Sequence, residues 1–157
     1  MKKVSLIMIA VLSTLIAVPL CAQENFTEGA ISRIVLIHIK PGRATEFWSD
    51  IRQNLKPIYE EYKKQGVITD YHFFTKATTD KPDDWNVGIN LVYKDYAALD
   101  GLAARTDPIT LKFYGTREAR SAATNKRTEN GTVVSSFLIR QVDPRPMTAS
   151  PAATPRP

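Results

Sequence analysis

The sequence predicts a small α+β domain with one antiparallel sheet, and three patterns indicate it. Residues 31–39 are so rich in apolar side chains that a strand there needs cover on both faces. Residues 45–64 have the amphipathic spacing of a helix, and residues 85–93 alternate as a half-buried strand does. Because one layer of helices covers only one face of a sheet, we expect a second copy of the chain to cover the other.

The first strand is predicted over residues 32–40, where the turn signal Pro41-Gly42 ends it. The helix that follows has an apolar stripe at spacings of three and four residues: Phe47, Ile51, Leu55, Ile58 and Tyr62. Pro57 interrupts this helix, because proline lacks a backbone donor and clashes with the preceding turn. We therefore expect a kink or restart near residues 55–56 and an end at Gly66.

Two further strands are predicted over residues 67–76 and 85–93, with a polar loop over residues 77–84. In the later strand, one face is apolar: Trp85, Val87, Ile89, Leu91 and Tyr93. The other face is less apolar: Asn86, Gly88, Asn90 and Val92. We assign the apolar face to the helices.

The segment before the last strand is predicted to be helical. Asp95 is a candidate cap for a short helix. Asp107-Pro108 is typical of the N-cap and first residue of another helix, which would run to about residue 124. Asn130-Gly131 predicts a turn, and residues 132–141 predict the last strand.

The resulting order, β-α-β-β-α-β, is the split or ferredoxin-like arrangement. Right-handed crossovers place the first and third strands at the centre of the sheet and the second and fourth at its edges. Both edges and one face then remain open. A homodimer that stacks two sheets would cover them.

Four segments also resemble a known superfamily: Ile37-His-Ile-Lys-Pro-Gly42, the helix with Phe47, Trp85-Asn-Val-Gly-Ile-Asn-Leu-Val-Tyr93 and Asp95-Tyr-Ala-Ala-Leu99. Over residues 31–142 the chain is similar to the dimeric α/β-barrel superfamily, which includes antibiotic-biosynthesis monooxygenase-like, EthD-like and stress-responsive barrel domains. The resemblance implies a homodimer with a cavity between sheet and helices, where small and often aromatic molecules bind. The helical insertion over residues 108–127 is longer than the minimal second helix of that superfamily.

Residues 1–22 have the pattern of a signal peptide: a basic start, an apolar run over residues 4–20 and small residues before a cleavage point. We expect a periplasmic or secreted protein without stable membrane association after cleavage. Two alternatives remain open. The run is short for an uncleaved membrane anchor, and Leu20 before Cys21 departs from the small residue of lipoprotein signals.

Cleavage removes the only cysteine, so neither a disulfide nor a thiol nucleophile is expected. It also removes Lys2 and Lys3, which lowers the formal net charge from +5 to +3. The remaining basic residues are scattered, and we predict no nucleic-acid partner. Residues 23–30 are predicted to be a linker, and residues 143–157, with five prolines, an extended tail.

The two histidines are candidates for chemistry at neutral pH. His72 is the candidate base, since Asp70 lies two residues before it and can orient the ring from the same strand face. His38 is a candidate ligand-binding residue. The alternative places His72 and Asp70 on a solvated edge and makes His38 a satisfied core residue. No His-x-His or His-x-x-x-His pair occurs, so no metal site is predicted.

Asn86 and Asn90 are candidate ligand-binding residues on one strand face, and Gly88 between them would leave room for a bound group. The alternative is a hydrated patch at a dimer interface. Arg140 in the last strand is a candidate to bind an anionic ligand, or else it pairs with a surface acid.

The sequence therefore predicts an exported homodimer that binds a small hydrophobic or aromatic molecule, with no metal or tightly bound cofactor. The resemblance implies a monooxygenase-like reaction driven by the substrate's own electrons. A non-catalytic dimerisation or ligand-carrying module of the cell envelope is the alternative. In that case side chains would fill the cavity.

Overall fold

The computed structural model describes residues 26–78 and 81–144. The predicted signal peptide and all but the first two residues of the predicted tail lie outside these ranges. The elements are β1 (Phe26–Ile39), α1 (Ala44–Asp50), a π-helical segment (Ile51–Leu55), α2 (Lys56–Lys64), β2 (Asp70–Thr75), β3 (Val87–Tyr93), a 3-10 turn (Ala97–Leu99), α3 (Leu102–Tyr114), α4 (Arg117–Asn130) and β4 (Gly131–Pro144). Glu28–Asp143 form one compact unit, and the few other described residues belong to a second unit.

The four strands form one sheet in the order β2-β3-β1-β4. β3 pairs antiparallel with both β1 and β2. β4 is antiparallel to β1, since its start lies by the end of β1, where Lys40 N donates to Asn130 O at 3.0 Å, and Gln141 near its end contacts Gly29. The predicted ferredoxin-like order, with the first and third strands central, is confirmed.

The core lies between the sheet and the helices in two clusters. One cluster packs α1 and the π-helical segment against the sheet: Ile37, Phe47, Ile51, Leu55, Val87 and Ile89. The other joins α2 and α3 to the sheet: Ile31, Ile58, Tyr62, Val67, Ile68, Tyr93 and Ile109. The predicted helical stripe and the apolar face of β3 are thus confirmed. Trp85 is the exception: it precedes β3, and its ring packs edge-on against Phe74, 5.8 Å between centroids.

The helix restarts where Pro57 predicts. α1 gives way to the π-helical segment, and regular α-helix begins again at Lys56, one residue before the proline. Proline has no backbone N–H to donate. A π-turn changes which carbonyl each N–H bonds to, so the helix can continue although this one donor is missing. The apolar stripe continues across it, since Ile51, Leu55 and Ile58 are all buried.

The predicted helix start at Asp107-Pro108 is wrong, because both residues lie inside α3. The helix begins after Gly101, whose φ of 61° is left-handed, and it buries Ile109 while Leu102 packs against the core. Burial of this face outweighs the cost of an internal proline. Asp107 pairs with Arg120 instead of capping.

Several other boundaries differ from the prediction, and β2, for example, starts at Asp70 rather than at residue 67. Asn130-Gly131 forms no turn, since α4 ends at Asn130 and β4 starts at Gly131. Strands β1 and β4 extend beyond the predicted domain limits, into residues 26–30 and 143–144. The cap at Asp95 is confirmed, because its Oδ1 accepts from Ala98 N at 2.9 Å.

β4 exposes six large apolar residues: Val133, Val134, Phe137, Leu138, Ile139 and Val142. Because successive strand residues point to opposite faces, both faces of this edge strand are apolar and uncovered within the described chain. No helix among the described residues is long and apolar enough to cross a membrane.

Candidate ligand-binding cavity

A cavity of about 310 Å³ lies between the sheet and the helices. β1 and β3 form its base with Arg33, Leu91 and Tyr93, and helices α2, α3 and α4 form its sides. Its lining combines three groups of polar side chains. The tyrosines are Tyr59, Tyr62, Tyr93 and Tyr114; the arginines are Arg33, Arg120 and Arg127; the threonines are Thr106, Thr110 and Thr124.

α4 supplies the most polar side of the cavity. Arg120, Thr124 and Arg127 follow at spacings of four and three residues, which places them on one helix face. Two ion pairs fix this face. Arg120 Nη1 lies 2.9 Å from Asp107 on α3, and Arg127 Nε lies 2.6 Å from Asp50 at the end of α1. Polar contacts thus hold a helix whose only buried residue is Asn130.

Two of the cavity tyrosines, Tyr59 and Tyr62, form a connected aromatic group with β2. The Tyr59 ring lies 6.0 Å from that of Tyr62 and stacks on Phe73, also at 6.0 Å between centroids. Burial raises the pKa of Tyr62 to about 12, and it also raises the pKa of Tyr59 and of Tyr93. At neutral pH these hydroxyls are therefore protonated hydrogen-bond donors rather than bases.

A wider groove of about 450 Å³ lies between the outer surfaces of α2 and α3. Its lining includes Pro57, Ile58, Lys64 and Phe113. The inner cavity is smaller, yet it brings together aromatic and hydrogen-bonding side chains from the sheet and three helices. Because polar side chains from several elements converge on this space, which is a property of ligand sites, the inner cavity is the candidate.

The structure brings His72 and Asp70 together, but away from this cavity. His72 Nε2 lies 3.6 Å from Asp70 Oδ2, and the two side chains are 59% and 44% exposed. His72 is opposite Asn90 in the sheet, on the face away from the helices, since its neighbour Phe73 stacks on Tyr59 of α2. A hydrogen bond from Lys63 lowers the pKa of Asp70. The catalytic role of this pair stays a prediction.

His38 and Asn86 hold the loop before β3 against the end of β1. His38 Nδ1 lies 2.7 Å from the carbonyl oxygen of Asp84, and Asn86 Oδ1 accepts from Ile39 N at 2.9 Å. Asn86 lies just before β3, which begins at Val87. Both side chains thus have structural partners. Their role in ligand binding stays a prediction.

Asn90 lies on the sheet face away from the helices, as does Ser32. Asn90 Oδ1 and Ser32 Oγ are both buried, and neither has a hydrogen-bond partner among the described residues. The expectation that Gly88 leaves room for a bound group is wrong, because the ring of Phe74 occupies the space next to it where a Cβ would lie. An unpaired buried oxygen is costly, so both atoms call for a donor from water or another chain.

Arg140 pairs with an acidic side chain, which is the second of the two roles that the sequence allowed for it. Its guanidinium forms an ion pair with Glu28 and lies over the Tyr96 ring, 4.7 Å from the centroid. Among the described residues, no group of three or more His, Cys, Asp or Glu side chains is close enough to hold a metal ion.

The arginines of the cavity were missed by sequence reasoning. One signal was present: Arg33 interrupts an apolar strand at a position that alternation assigns to the helix side. The spacing of Arg120, Thr124 and Arg127 on one helix face was a second signal. It was missed because the incorrect helix start at Asp107-Pro108 gave this region the wrong helix boundaries.

No protein-family model matches the chain, and no curated protein matches it. The solved structures that it resembles include HapK from Hahella chejuensis, at 11% identity over 80% of this chain and 99% of that chain, with a TM-score of 0.48. A dimeric ferredoxin-like protein from an uncultured marine organism has 13% identity over 74% and 95% of the two chains, with a TM-score of 0.46. A dabb family protein with a ferredoxin-like fold from Mesorhizobium loti has 14% identity over 72% and 95%, with a TM-score of 0.35. At such identities the likeness concerns the fold alone.

Proposed function

We propose that this protein is an exported homodimer that binds a small aromatic molecule in the cavity between its sheet and helices. The observation that supports binding is an open space of about 310 Å³ lined by four tyrosines. Ligand pockets begin at roughly 300 Å³, so the space suits a compound of one or two fused rings. A module whose core is filled by its own side chains would lack this space.

The lining favours an aromatic ligand. Tyrosine rings pack against other rings edge-on or offset, and such pairs contribute about 0.5–1.5 kcal/mol beyond the area that they bury. Arginine guanidinium groups also stack on aromatic faces. The protonated hydroxyls of Tyr62 and Tyr93 can donate to polar substituents on a ring.

The uncovered faces of β4 support the homodimer. An edge strand that is apolar on both faces is a site of association, and a second copy with the same strand is the simplest partner. Export rests on the signal-peptide pattern of residues 1–22, which lie outside the described residues.

Binding is the function that the geometry favours over catalysis. The described residues that line the cavity include no histidine and no carboxylate, and the shifted tyrosines stay protonated at neutral pH. The monooxygenase-like reaction stays a prediction from resemblance.

Calorimetric titration of the purified exported protein with 2-naphthamide, a neutral two-ring probe, tests binding. Thr124→Trp adds bulk to the exposed rim of the cavity, while Thr128→Trp adds the same bulk one turn later on α4, outside the cavity. We expect the wild type and Thr128→Trp to bind alike, and Thr124→Trp to bind at least tenfold more weakly. No heat of binding in the wild type, or equal weakening by both variants, would contradict the proposal.

A further inference from the structure

We infer that the cavity binds its aromatic ligand as a carboxylate, and that Arg33 is the residue that pairs with the charge. This inference rests on the proposed function and specifies its ligand class. Three features of the cavity support it: the placement of Arg33, the pairing of the other two arginines and the hydroxyls around them.

Arg33 is a charged residue in the middle of the central strand. It lies opposite Leu91, on the side of the sheet that packs against the helices, and it is half-buried in the cavity base. The nearest residues on the same face of β1, Ile31 and Val35, pack in the apolar core. A guanidinium in such a position loses hydration and needs a compensating anion.

No such anion comes from the described part of the chain. Arg33 forms no hydrogen bond or ion pair with the described residues, whereas Arg120 and Arg127 each have an aspartate partner within 3 Å. Among the described residues of the cavity, one positive charge is therefore uncompensated. A carboxylate, with its single charge, balances it, while a phosphate dianion would leave an excess negative charge in a half-buried site.

Tyr93 completes the site. Tyr93 lies in the cavity base with Arg33. Burial raises the pKa of the Tyr93 hydroxyl, and the nearby positive charge of Arg33 opposes this effect. A protonated hydroxyl beside a guanidinium provides two kinds of donor for one carboxylate. Charge-assisted bonds of this kind are roughly twice as strong as neutral ones.

The test compares 2-naphthoate with 2-naphthamide, which share a ring system and differ in charge. In calorimetric titrations of the wild type we expect the carboxylate to bind at least tenfold more tightly than the amide, since hydrogen bonds to charged groups contribute about that factor. Arg33→Gln should abolish this preference, so that the variant binds the carboxylate and the amide with affinities within about twofold of each other. Arg33→Lys should retain most of the preference, because it keeps the charge. A matched control, Arg117→Gln on the exposed start of α4, should change neither affinity.

The outcomes separate the two proposals. If the amide binds but the carboxylate has no advantage, or if Arg33→Gln leaves the advantage intact in a folded variant, the inference is overturned and the proposed function stands. Tighter binding of 2-naphthyl phosphate than of 2-naphthoate would also overturn it. If neither naphthalene compound binds to the wild type, the proposed function fails and the inference fails with it.

Discussion

Four of the six tyrosines have their hydroxyl pKa raised, and three of the four line the cavity. Burial is the main cause in each case. It raises the pKa to about 12 for Tyr62 and for Tyr71, where a hydrogen bond to Glu60 adds to the shift. The folded chain thus favours the protonated phenol more strongly than the unfolded chain does.

This predicts a loss of stability at high pH. Because the folded pKa values are raised, the contribution is fully present below the unfolded value near 10 and is lost as the pH rises through about 12. At pH 11, absorbance at 295 nm should report fewer tyrosinates in the native protein than in the same sample in urea. Equal absorbance in the two states would mean that these rings are not buried as described.

The arginine pairs of α4 differ in burial, and this predicts unequal effects. The Arg127–Asp50 side chains are 22% and 16% exposed, while the Arg120–Asp107 side chains are 28% and 48% exposed. Asp50→Asn leaves a largely buried guanidinium without its anion, so we expect it to lower the free energy of unfolding by about 2–3 kcal/mol. Asp107→Asn acts on a more exposed pair and should cost at most about 1 kcal/mol.

Urea denaturation of the two aspartate variants provides the comparison. The double variant Asp50→Asn, Arg127→Gln should recover part of the loss, since it removes both charges together. A larger loss for Asp107→Asn than for Asp50→Asn would show that α4 is held in a different way.

For the helices and strands, the sequence predicts those features that depend on a local pattern of residues. Alternation identifies the faces of β3, and the stripe from Phe47 to Tyr62 identifies the helix face, because burial imposes these periods directly. Pro57 has the predicted effect, since its missing donor acts within one turn. Pro108 does not, because contacts of Leu102 and Ile109 with distant residues decide where α3 begins.

The cavity is harder to predict, since it depends on how α4 returns across the sheet. Arg33 and Arg127 are far apart in sequence, and no local pattern joins them. Candidates selected for their chemistry alone, such as His38, have partners that only tertiary structure reveals. In this case the partner is the carbonyl of Asp84.

For the whole molecule, the exposed apolar faces of β4 predict a dimer. By alternation from Gly131, which faces Phe47, Leu138 points to the sheet side away from the helices. Light scattering after gel filtration should give the mass of two chains for the wild type. Leu138→Lys should give one chain at micromolar concentration, because it buries a charge in the interface, whereas Thr128→Lys on α4 should leave the dimer intact. A monomeric wild type would contradict this expectation.

A crystal structure of the purified protein grown with 2-naphthamide tests ligand binding most directly. We predict density for the naphthalene ring among Tyr59, Tyr62 and Tyr93, between the sheet and α4. A cavity filled by the protein's own side chains, or a ring bound only on the outer groove of α2 and α3, would contradict it.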